Sequence, residues 1–208
     1  MRRLAVFASG HGSNFEALAR AGERDQLGGG IVALFCDNPG APVLERARRL
    51  RIEAVCPPTG RFRTRLEDER PWLDALRERG VEVVLLAGFM RRLHETLLGA
   101  YADRVLNIHP SLLPAFPGLG AIEQAWTHGV SVTGCTVHVV DRDLDAGPIV
   151  MQEAVEVRPG DTLETLEARV HEAEQRIYPR AVRRFLTEPW RREGRRLVFD
   201  GGAEVGRG

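Results

Sequence analysis

Leu4-Ala-Val-Phe-Ala-Ser-Gly-His-Gly-Ser-Asn14 opens the chain with an apolar run, a glycine-rich turn and the polar start of a helix. The spacing predicts a strand over Leu4–Ala8 and a helix over Asn14–Ala21. The same alternation then repeats. Ile31–Phe35 reads as a strand, and Pro42–Leu50 as a helix with proline in its first turn. Ala54–Cys56 reads as a short strand, Arg65–Arg79 as a helix, Val81–Leu86 as a buried strand and Val105–Ile108 as another. Strands that alternate with helices predict an α/β fold, with a parallel sheet covered by helices and joined by right-handed crossovers.

The second half changes character. Ser131–Val140 and Ile149–Val157 are longer and partly alternating, which predicts a pair of strands around the Asp/Gly-rich turn Asp141–Pro148. Asp161-Thr-Leu-Glu164 resembles a capping box with aspartate in place of the usual hydroxyl residue. Leu163, Leu166, Val170, Ala173 and Ile177 then fall on one face of a long helix, which Pro179 should kink or break. Trp190–Phe199 reads as a small edge hairpin and Gly201–Gly208 as a frayed tail, so residues 1–200 are expected to form one domain.

Composition bounds the function. The chain has 208 residues, 43% of them hydrophobic and 28% charged, enough for one domain with a sizeable core. Lys+Arg and Asp+Glu both number 29, without the basic excess of a dedicated nucleic-acid binder. Every basic residue is arginine, which excludes Schiff-base chemistry and a P-loop lysine. No apolar run approaches the roughly 18 residues of a membrane span, and the N-terminal run is too short for a signal peptide, so a cytoplasmic protein is expected. Cys36, Cys56 and Cys135 are far apart and form no C-x-x-C pair; each sits in an apolar stretch and is expected to be a buried structural thiol.

Three constellations could carry chemistry. The first is Ala8-Ser-Gly-His-Gly-Ser-Asn14, where free N–H groups at a helix start can cradle a phosphate. It lacks the Walker lysine, and Phe15 stands where a dinucleotide fingerprint needs its third glycine. A mononucleotide-sized or sugar-phosphate ligand is favoured over a plain tight turn. The second is Asn107-Ile-His-Pro-Ser-Leu-Leu-Pro114, just past a buried strand. Asn107 and His109 are two apart and face the same side, so an amide donor and an imidazole could stabilise an oxyanion and move a proton. The alternative is a strand-end histidine satisfied by backbone. The third is Asp141-Arg-Asp-Leu-Asp-Ala-Gly-Pro148, whose acids lack calcium-loop spacing but could hold His109 charged and oriented, or merely be solvated. His94 and His128 are expected to be exposed on helical stretches, His138 to be a satisfied core histidine, and His171 to lie on the long helix. No spacing suggests a metal site.

In this order, the three constellations resemble the phosphoribosylglycinamide formyltransferase family, folate-dependent enzymes of purine synthesis. Leu86-Ala-Gly-Phe-Met-Arg-Arg-Leu93, Pro117-Gly-Leu119, Gly134-Cys-Thr-Val-His138 and Ile177-Tyr-Pro179 strengthen the resemblance, which runs from Leu4 to about Leu186. It implies a Rossmann-like, mostly parallel twisted sheet with helices on both faces. It implies that Gly12, Ser13 and Asn14 hold the ribose phosphate and that Glu174 reaches the ribose hydroxyls. Arg65 would meet the folate glutamate tail, and Met90, Arg91, Arg92 and Leu93 would lend backbone to the pterin, with Asn107, Val140 and Asp141 also on the folate side. Asn107, His109 and Asp145 would be the catalytic trio. Gly120 stands where many members carry a histidine, which bears on affinity more than on chemistry.

The implied reaction passes a formyl group from 10-formyltetrahydrofolate to the amine of 5-phosphoribosylglycinamide through a tetrahedral intermediate, with no metal. The implied partners are these small molecules, with no nucleic acid or membrane, for a monomer or homodimer. A formyltetrahydrofolate hydrolase usually carries an N-terminal regulatory domain, for which the strand opening at Leu4 is expected to leave no room. A methionyl-tRNA formyltransferase needs an RNA-binding domain, for which the chain is short and neutral. A non-catalytic nucleotide binder leaves Asn107, His109 and Asp145 without a role.

Overall fold

β1 (Arg2–Ala8) has parallel neighbours on both sides, β2 (Gly29–Cys36) and β4 (Val83–Leu86), in a computed structural model that describes residues 1–200. The tail expected to fray, 201–208, lies outside the described residues. Leu4 to Ala8 are fully buried, so the strand reads as an unbroken apolar run. β3 (Glu53–Val55) continues the sheet beyond β2, and β5 (Val105–His109) beyond β4, both in parallel. β6 (Val132–Val139) and β7 (Ile149–Glu156) then reverse direction, each antiparallel to its predecessor. The hairpin of β8 (Trp190–Glu193) and β9 (Arg196–Phe199) closes that edge, β9 lying beside β7. The order is β3-β2-β1-β4-β5-β6-β7-β9-β8, a mixed, mostly parallel sheet. The chain runs one way from β1 to β2 and β3 and returns to the other side at β4. The carboxyl ends of β1 and β4 therefore flank a crevice of the kind where α/β sheets bind ligands.

Alternation along β1 divides the core. Leu4, Val6 and Ala8 face α1 (Ser13–Glu23), α2 (Val43–Arg49), α5 (Ala121–Thr127) and α6 (Leu163–Thr187). Ala5 and Phe7 face α3 (Arg70–Glu78) and α4 (Glu95–Ala100), where the Phe7 ring lies 5.1 Å from both Phe35 and Trp72. Helices thus cover both faces, as expected.

Several local expectations are corrected. The helix expected over Arg65–Arg79 begins only at Arg70, with Pro71 in its first turn. Upstream, Arg65 bridges Arg92 in parallel, and the buried Glu69 carboxylate accepts from the His94 and Leu97 amides at 2.6 and 2.9 Å. Those long-range bonds offer the segment more than a further helical turn would. His94 is accordingly the residue preceding α4 rather than part of it. The cap of α6 is Thr162 with Thr165, one residue beyond the expected box; Asp161 instead binds Arg169 and the Arg158 amide. Pro179 does not break α6, because a buried face from Leu166 to Phe185 continues on both sides of it. Cys36 and Cys135 are buried, and burial pushes their thiols up to about 11 and about 12. Cys56 is exposed, just past the end of the edge strand β3. Among the described residues, no helix is long and apolar enough to cross a membrane.

Candidate active site

The glycine turn after β1 is built for close approach. Gly12 holds φ 79° immediately before α1, and an added Cβ would lie 2.3 Å from Val43 Cγ2. The Gly10 carbonyl accepts from the Val43 amide at 3.1 Å, and the His11 carbonyl from Arg46 at 2.7 Å, so α2 braces the turn. Among the described residues no side chain caps α1, which leaves its first amides, at Ser13 and Asn14, available to an anion. Ser9 joins this turn to the one after β4: its amide donates to Gly88 O at 3.1 Å, and its hydroxyl accepts from the Met90 amide at 2.8 Å.

Glu174, far away in sequence on α6, arrives beside this turn. Asn14 Nδ2 donates to Glu174 Oε2 at 3.2 Å, while Asn14 Oδ1 is buried with no partner among the described residues. His171, one helical turn earlier, meets the same carboxylate oxygen at 2.9 Å, and that hydrogen bond raises the histidine's pKa above its ordinary value. An unpartnered buried acceptor beside a buried carboxylate is a place prepared for hydroxyl donors. Tyr178 lies one turn beyond, and its one hydroxyl hydrogen is shared between the Leu86 and Leu106 carbonyls at 2.9 and 3.1 Å. The tyrosine of Ile177-Tyr-Pro179 thus ties α6 to the last residue of β4 and to the start of β5.

Asn107 and His109 leave β5 on the same side, and the loop after β6 brings Asp145 to them. His109 is 4% exposed. The Phe116 carbonyl, 2.8 Å from Nε2, can only accept, so Nε2 carries a hydrogen. Nδ1 is left 3.4 Å from Asp145 Oδ2. The Gly118 amide donates to that same oxygen at 2.8 Å. Phe116 and Asp145 both hold φ 50°, a left-handed conformation that costs a non-glycine residue roughly 1–3 kcal/mol and clusters at functional loops. The other acids of the loop go elsewhere. Asp141 pairs with Arg192 at 2.7 Å, whose guanidinium holds its carboxyl below the usual range, and Asp143 is exposed.

His138 is buried and hydrogen-bonded, as expected, but it also belongs to this cluster. It sits opposite Asn107 in the β5–β6 register. Asn107 Nδ2 donates to its Nε2 at 3.2 Å, so its Nδ1 carries the hydrogen and donates to Val139 O at 3.1 Å. Burial lowers its pKa, in keeping with a neutral ring that accepts from Asn107. The Asn107 amide is thereby oriented, its second N–H without a partner among the described residues. A histidine facing a strand-end asparagine was the available signal, but the β5–β6 register that would reveal it is not written in the sequence.

The remaining candidates surround this centre. Met90 is exposed and Leu93 is buried. The Arg91 side chain is committed to Asp37 at 2.8 Å and to the Phe62 and Arg65 carbonyls, which leaves its backbone for any ligand. The Arg92 amide donates to Thr64 O at 2.9 Å, and the Arg65 guanidinium lies 4.2 Å over the Phe62 ring. The Val140 amide donates to Val105 O at 2.8 Å. Gly120, at φ 67°, precedes α5. A separate cavity of about 680 Å³ between α1 and α6 is lined by none of these residues. Among the described residues, no group of three or more His, Cys, Asp or Glu could hold a metal ion.

Residues 2–182 match the formyl transferase family. A phosphoribosylglycinamide formyltransferase of Bacillus subtilis is 44% identical over 186 residues, covering 89% of this chain and 95% of that protein. A glycinamide ribonucleotide transformylase 1 from Symbiobacterium toebii superposes with a TM-score of 0.91 at 42% identity, over 96% of this chain and 94% of that one. A phosphoribosylglycinamide formyltransferase from Anaplasma phagocytophilum gives 0.87 at 38% identity, over 98% and 97%.

Proposed function

The chain belongs to the formyl transferase family, and from that premise we propose that Asn107, His109 and Asp145 are its catalytic centre. The protein transfers the formyl group of 10-formyltetrahydrofolate to the amine of 5-phosphoribosylglycinamide, a step of purine biosynthesis. The observation that carries the assignment is the seating of Asp145, with one oxygen shared between the Gly118 amide and the His109 Nδ1 side.

The substrate amine attacks as the neutral base, and the tetrahedral intermediate carries an oxyanion. The second N–H of Asn107 donates to that oxyanion, and His109 joins it when its Nε2–H shifts from the Phe116 carbonyl to the oxyanion. Asp145, 3.4 Å from Nδ1, keeps the ring turned. The proton lost by the attacking nitrogen passes to N10 of the folate through His109 or a water held by Asp145. Donor and acceptor react directly, so proximity supplies much of the rate and no acyl-enzyme forms. Gly12, Ser13 and Asn14 receive the phosphate, and Glu174 with Asn14 the ribose hydroxyls. The backbone at Met90–Leu93, Val140 and Asp141 flanks the pterin, and Arg65 meets the glutamate tail. This reading makes residues 1–200 one cytoplasmic domain acting as a monomer or homodimer.

Formyl loss from 10-formyltetrahydrofolate, followed with and without glycinamide ribonucleotide, tests the reading. Transfer should require the ribonucleotide. Equal loss without it would mean hydrolysis, and no loss in either case a binding protein. Gly12→Val tests the phosphate turn. The new side chain collides with Val43 at a φ that disfavours it, which displaces the turn proposed to hold the phosphate. Calorimetry should show clearly weakened binding of the phosphoribosyl substrate alone, with folate affinity kept. Unchanged affinity for both would place the phosphate elsewhere.

A further inference from the structure

The loop that carries Asp145 is gripped from behind by an element that the reaction does not touch. Arg192, on β8, donates from Nη2 to Asp141 Oδ2 and from Nη1 to Asp103 Oδ1, both at 2.7 Å. Arg195, in the β8–β9 turn, donates from Nη2 to the Ala146 carbonyl at 3.0 Å. Arg196 pairs in register with Ile149, just past the loop. The hairpin thus holds both ends of 141–149 and the residue next to Asp145. On the inner side, among the described residues, Asp145 meets only the Gly118 amide and the two imidazoles. Its left-handed φ gives the loop a reason to relax unless something opposes it.

We propose that Arg192 and Arg195 are positioning residues for formyl transfer, which hold the Asp141–Pro148 loop so that Asp145 stays within reach of His109. The proposal rests on the role given to Asp145 above. Arg192 and its partners are each more than one-third exposed or close to it, at 35%, 42% and 39%. Pairs so exposed add little to global stability. Loosening them should therefore fall on the loop rather than on the fold. The Asp141 carboxylate is committed to this clamp, which leaves the backbone of that residue for the folate.

Arg192→Met keeps the apolar stem and removes the charge; Arg195→Gln removes the charge beside Ala146. Each should lower kcat by about tenfold and raise the KM for 10-formyltetrahydrofolate several-fold, on the scale of a sub-ångström misplacement of a reacting group. The KM for phosphoribosylglycinamide and the urea midpoint should not move. Amide hydrogen exchange over Asp143–Gly147 should quicken in the ligand-free protein. Arg192→Lys, able to satisfy one aspartate, should fall between wild type and Arg192→Met. Unchanged kcat, folate KM and exchange would overturn the clamp. So would losses in every parameter that merely track the folded fraction. If wild type itself moved no formyl group, the functional reading would fall instead, while the exchange measurement would still test the clamp.

Discussion

His109→Ala is expected to lower turnover by about 10²–10⁴-fold, the usual span for a general acid–base group. Binding of phosphoribosylglycinamide should change little, because the glycine turn and Glu174 lie on a different part of the crevice. The substitution also strips the Phe116 carbonyl of its donor, so part of any loss could come from the Pro110–Gly120 loop. His109→Gln separates the two effects. Its amide nitrogen can reach the same carbonyl but cannot carry a proton between nitrogens. A folded glutamine variant should be nearly as slow as the alanine variant. If either variant kept more than half of wild-type turnover, His109 would not handle the proton or the oxyanion.

Asp145→Asn should cost about 10²–10³-fold in kcat, again on the scale of acid–base groups, with the fold intact. Asparagine tolerates the left-handed φ that this position requires, and its carbonyl can still accept from the Gly118 amide. What disappears is the negative charge 3.4 Å from His109 Nδ1 and 3.7 Å from His138 Nε2. Thermal denaturation should be close to wild type, and steady-state kinetics should show the loss in kcat more than in either KM. Wild-type kcat in Asp145→Asn would mean that the loop serves to seat folate and that its carboxylate is idle. Asp141 could not take over, since its charge is spent on Arg192, and Asp143 points to solvent.

The local patterns could be read directly. An unbroken apolar run such as Leu4–Ala8 has few alternatives to a buried strand, and a glycine turn into a polar helix start has few alternatives to a βα corner. The heptad-like spacing from Leu163 to Ile177 likewise dictated one face of α6. Asn107 and His109 were legible as a pair because strand geometry puts residues two apart on one side. Where local rules failed, a distant partner had outbid them. The side chain of Glu69, the residue preceding α3, is spent on capping α4, and Pro179 stayed helical because buried neighbours held the helix around it. The choice of Asp145 among three acids, the recruitment of His138 through the β5–β6 register and the grip of Arg192 on Asp141 depend on segments tens of residues apart. No sequence spacing encodes those distances; only the packed sheet, with β6 folded back antiparallel on β5, puts these groups within a few ångströms of one another and so decides which of them can share a proton.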